Sequence, residues 1–134
     1  MNGKINIEKV VTHWVDSSDM DFKTMNNLYK SKDYSWALFV GHLVIEKLLK
    51  ACYVKVKHQH PLFIHNLVRI AEDTGIVLLN EVKNKLAAIT LFNMKARYED
   101  DKKDFYKKCT KDFTKEWIDE IKSLTIWIKE QHLK

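Results

Sequence analysis

One proline, Pro61, and three glycines are all that punctuate 134 residues. A sheet of several strands needs Gly, Pro, Asn-Gly or Asp-Gly at its turns, and this chain has almost no residues to spare for them. The sequence therefore predicts an all-helical fold. At 134 residues it is long enough for a single core and too short for two, so residues 1–134 are expected to form one domain. No apolar run reaches the roughly 20 residues needed to span a bilayer, and the first ten residues lack the apolar centre of a signal peptide. A cytoplasmic protein with no membrane contact is the expectation. Cys52 and Cys109 lie within helical patterns, a usage that fits a reducing compartment better than a disulfide scaffold.

Apolar residues mark out the helices. Ile7, Val11, Trp14, Ser18, Phe22, Met25 and Tyr29 recur three or four apart, predicting one helix over about 4–30, with Ser17 and Ser18 as the place where it could break and restart. Residues 34 to about 57 are apolar nearly all round, which belongs at the centre of a bundle. After a loop over 58–61 comes a short helix ending at Gly75, then another from about residue 79. Residues 93–101 read as polar and irregular. Phe105, Cys109, Phe113, Trp117, Ile121, Leu124 and Ile128 then form the stripe of one long last helix. Four long helices and a short one predict an antiparallel up-and-down bundle.

The net charge of +5 permits an acidic or nucleic-acid partner without requiring one. Among 23 cations only Arg69 and Arg97 are arginines, and bidentate reading of base edges favours arginine, so dense sequence-specific recognition is not expected. Isolated glycines exclude a phosphate-binding loop or dinucleotide fingerprint. His58, His60 and His65 make H-x-H-x4-H, but no cysteine or carboxylate completes the set, so neither a metal nor another cofactor is expected. Neither cysteine has a base beside it to make it a nucleophile.

What helix packing leaves unexplained is a short set of polar residues: His42, Glu46, His65, Arg97 and Tyr98. His42, Glu46 and Lys50 stack on one stripe of the apolar central helix. An unpaired carboxylate there is costly, so Glu46 is expected to meet Arg97, a histidine or a backbone amide, either as an ion pair fixing helix register or as a ligand-facing pair.

These residues carry a resemblance. The run Ala37 to Ala51, with Glu46-Lys47 and Leu49-Lys50-Ala51, the trio His65-Asn66-Leu67, and Arg97-Tyr98-Glu99-Asp100 ahead of the last helix resemble the HEPN domain family. The family shows His-Asp-Leu and Arg-Tyr-Pro-Asp at the last two places, so Asn66 and Glu99 depart from its pattern. The likeness runs over nearly the whole chain. It implies a helical bundle, frequent homodimers, a minimal nucleotidyltransferase as partner, and a polar groove for nucleotide or RNA, here Glu46, Lys50, His65, Arg97 and Tyr98. One branch consists of metal-independent endoribonuclease toxins with an Arg-x4-6-His motif. That motif is absent, because no histidine follows Arg69 or Arg97 at that spacing. The resemblance therefore implies a non-catalytic module. The alternatives are a toxin in which His65 or His42 substitutes for the missing histidine beside Arg97, and a helical assembly scaffold.

Overall fold

The computed structural model describes residues 5–134, and within them every regular element is a helix. There are six: α1 (Ile7–Lys30), α2 (Tyr34–Lys57), α3 (Leu67–Thr74), α4 (Asn80–Lys95), α5 (Glu99–Lys108) and α6 (Lys111–His132). The expected start of the first helix, residue 4, lies outside the described residues. None of the six is long and apolar enough to cross a membrane.

At the centre stands α2. Fourteen of its 24 residues are buried, among them Leu38, Ile45, Leu48 and Leu49 with no exposed surface, as a helix without a polar face requires. It packs against α1, α3, α4 and α6. Along α1 the contacts fall in reverse order: Ser18 meets Val44, Met25 lies against Gly41, and Tyr29 meets Tyr34, so these two helices run antiparallel. The chain does not break at Ser17 or Ser18. The Ser18 hydroxyl is buried and donates to the Val44 carbonyl at 2.8 Å, and this helix-to-helix bond gives the serine a place on the apolar stripe.

Two expectations for the second half are corrected. Helix α4 continues through buried Asn93 to Lys95, leaving only residues 96–98 irregular before α5 begins. The single long last helix is two helices. It breaks at Cys109 and Thr110, where the Thr110 hydroxyl accepts from the Phe113 amide at 3.2 Å and caps α6. Phe105 and Cys109 remain buried across the break, and Phe105 meets Phe92, so the apolar spacing continues although the helix does not. Among the described residues the bundle has six helices, not five.

Gly75 ends α3 with φ of 92°, in the left-handed region where a Cβ is penalised. The turn carries the chain on toward α4, and the segment before α3 brings His65 against α2.

Candidate functional site

Three residues of the α2 stripe, His42, Glu46 and Lys50, are no more than 5% exposed. Burying a carboxylate and an ammonium is tolerable only when each is paired, and here they pair with each other: Lys50 Nζ donates to Glu46 Oε2 at 3.2 Å. Lys50 also sits 5.5 Å from the centre of the Trp14 ring.

The second carboxylate oxygen is taken by a histidine. His65 Nδ1 lies 2.7 Å from Glu46 Oε1, and since a carboxylate oxygen only accepts, Nδ1 is the nitrogen that carries hydrogen. Its other ring nitrogen, Nε2, has no protein partner among the described residues. The His65 side chain is 60% exposed, so this nitrogen is open to solvent while its ring is held from behind by a buried acid.

Below it, His42 is fully buried. Its Nε2 donates to the His65 carbonyl at 3.0 Å and lies 3.8 Å from Glu46 Oε1, which anchors the segment before α3 to α2 by a backbone contact. Its Nδ1 is buried with no partner. Burial pushes the His42 pKa below the ordinary 6.5, against the pull of the His65 carbonyl and the Glu46 carboxylate. The consequence for pH has a definite sign. Unfolded chains take up a proton at His42 as pH falls through 6.5, and the folded chain does so only at lower pH. This residue's contribution is therefore intact above pH 6.5 and is lost progressively below it, at up to about 1.4 kcal/mol per pH unit. Urea unfolding between pH 7.5 and 5 is expected to show that decline. His42→Leu should flatten it while lowering stability at pH 7.5; an unchanged slope would assign the proton uptake elsewhere.

Arg97 and Tyr98 occupy the irregular turn between α4 and α5. Arg97 does not reach Glu46. Its Nε donates to the Asn93 carbonyl at 2.9 Å, and its guanidinium lies 5.8 Å from the Phe39 ring and 5.6 Å from the Tyr98 ring. Phe39 precedes Glu46 by seven residues on α2, about 10 Å along the axis and on the same face. The five residues thus flank one stripe: Glu46, Lys50 and His65 form a bonded cluster, and Arg97 with Tyr98 stands about two turns away. The alternatives left open for Glu46 resolve to histidine together with Lys50, a partner that helical spacing made reachable. Sequence reasoning missed Phe39 and Trp14, whose spacing marked them only as apolar.

An open groove of about 540 Å3 runs beside this region between α3 and α4, lined by Asn66, Arg69, Lys83 and Thr90 among others. Neither Glu46 nor Arg97 lines it, so the polar stripe does not form the floor of that groove. Among the described residues no cluster of histidine, cysteine and carboxylate groups is arranged to hold a metal. Burial raises both thiols, Cys52 to about 12 and Cys109 to about 11, which suits packing and not nucleophilic attack.

No curated protein and no solved structure matches the chain. The model of one family, the HEPN domain, matches residues 11–131, nine-tenths of the sequence and all of the stripe just described, and the chain belongs to that family.

Proposed function

We propose that this HEPN chain is a non-catalytic module that binds nucleotide or RNA along the exposed border of the α2 stripe. In this reading four long helices run up and down, two copies form a homodimer, and a minimal nucleotidyltransferase is the protein partner. The observation that carries it is the division of labour among the charges. Both oxygens of Glu46 are occupied by His65 and Lys50, and Arg97 is in no ion pair among the described residues. Its guanidinium keeps donors available for a phosphate, held in place by Asn93 and two rings. Lys50, buried and paired, serves as counter-charge to Glu46 rather than as a phosphate ligand.

The expected result for Arg97→Ala is at least tenfold weaker binding of single-stranded RNA, since a charge-assisted contact contributes about 1.5–3 kcal/mol. The slope of log K against log salt should also become shallower by about one unit. Unchanged RNA and nucleotide affinity, together with unchanged partner binding and dimerisation, would remove the assignment.

A second reading, metal-independent RNA cleavage, is favoured by one feature: His65 presents a solvent-facing Nε2 oriented by a buried carboxylate, the arrangement a general base requires. Against it stands the separation of about two helical turns between His65 and Arg97 along α2, which places them at different positions of a bound strand. Cleavage of RNA in EDTA, abolished by His65→Ala, would establish the second reading; intact RNA would dismiss it.

A further inference from the structure

Arg97 belongs to a larger patch at the N-terminal end of α2. Trp36 and Phe39 meet edge to face, with centroids 5.6 Å apart and planes at 89°. Arg97 bridges Phe39 and Tyr98, and the Lys102 ammonium lies 5.6 Å from the centre of the Trp36 ring. Three aromatic rings and two cations thus form one contiguous surface drawn from α2, the turn between α4 and α5, and α5. The rings are not consumed by the core: Trp36 is 39% exposed and Tyr98 53%, with Phe39 half-buried between them. Nor are the cations consumed by carboxylates, for neither Arg97 nor Lys102 makes an ion pair among the described residues, although Glu99, Asp100 and Asp101 directly follow Tyr98.

We infer that the Trp36–Phe39–Tyr98 patch is a stacking subsite for an unpaired nucleobase of single-stranded RNA. The inference rests on the RNA-binding reading above and specifies what that site takes. Exposed rings bearing cations offer a π-face for a base and positive charge for the flanking phosphates, the combination by which single strands are held without base-edge reading. The three carboxylates of the first turn of α5 discriminate further. They disfavour phosphate over the first turn of α5 and leave it to Arg97, whereas a base carries no net charge and is tolerated beside the carboxylates. A duplex, whose bases are stacked internally, cannot use such a surface.

The test is fluorescence anisotropy of the full chain with a labelled oligouridylate of about ten nucleotides, the same length carrying abasic sites, and a duplex of equal length. Expected are preference for the single strand and at least about fivefold weaker binding by Trp36→Ala. Trp36→Phe, which keeps a ring, should retain most of the affinity, and the abasic strand should bind wild type and Trp36→Ala alike. Tyr98→Ala, at an exposed turn, provides a second variant that does not depend on α2 folding normally. If Arg97→Ala loses binding while Trp36→Ala and Tyr98→Ala bind as wild type, the stacking subsite is overturned and the phosphate reading stands. If wild type binds none of the oligonucleotides, the RNA reading itself falls and takes the subsite with it. Altered sedimentation of Trp36→Ala at unchanged RNA affinity would make the patch a protein interface and overturn the inference.

Discussion

Glu46→Ala is expected to be among the most damaging single substitutions in the chain, lowering stability by about 3–5 kcal/mol, because it strands the ammonium of Lys50. Lys50 is 5% exposed and among the described residues its one ion-pair partner is Glu46, so the change removes the anion bonded to this buried charge and leaves it beside the Trp14 ring. The effect follows from an uncompensated buried ion rather than from the value of the pair itself, and the two are separable by a double variant. Glu46→Ala with Lys50→Met removes both charges and fills part of the space with an apolar chain, and should recover more than half of the loss. Glu46→Gln is the informative intermediate: its amide oxygen can still accept from His65, but the anion that faced Lys50 is gone. Thermal unfolding would show a drop on the order of 10 °C for the alanine variant. A single variant that melts like wild type would mean that Lys50 escapes to solvent and that the buried network does not hold α2 to the His65 segment.

How far this network was legible from the sequence differs from residue to residue. The limits of α2, Tyr34 and Lys57, were readable because a helix apolar all round has no competing solution, and Asp33 and the left-handed His58 close it at either end. That Glu46 must find a donor was also legible, from burial alone. Which donor was not: Arg97 and His65 both sit near the stripe in three dimensions, and the choice depends on how far the segment before α3 folds back, a matter settled by the bond from buried His42 to the His65 backbone. The break between α5 and α6 escaped notice for a different reason. Phe105, Cys109 and Phe113 keep a spacing of four through it, so periodicity continued while the backbone did not, and the signal lay in the capping hydroxyl of Thr110. The start of α5 had its own marker in Glu99, Asp100 and Asp101, acids that favour the positive end of a helix; read only as polar, they suggested a loop.

Gly41 shows how tightly α2 is held against α1 and α6, and its replacement is the other large effect to expect. A Cβ built there would lie 2.6 Å from Ile121 Cδ1 and 3.1 Å from Met25 Sδ, closer than unbonded atoms sit without something moving. Gly41→Leu adds three further heavy atoms to a filled interior and should cost about 3 kcal/mol or more, through displaced helices or side chains forced off their rotamers. Gly41→Ala is a closer contest. Alanine gains roughly 1 kcal/mol of helix propensity over glycine, while the clash costs about 1–3 kcal/mol, so a net loss of about 1 kcal/mol is expected. The opposing atom can be removed independently. Ile121→Val deletes Cδ1 and alone should cost about 0.5–1.5 kcal/mol as a small cavity. Combined with Gly41→Ala, the new methyl occupies the space that Cδ1 vacated, so the double variant should be more stable than the sum of the single losses predicts. Urea unfolding of the four proteins measures that coupling directly. Strict additivity would show that Ile121 swings aside without strain, and that the glycine is not what lets α6 approach the central helix.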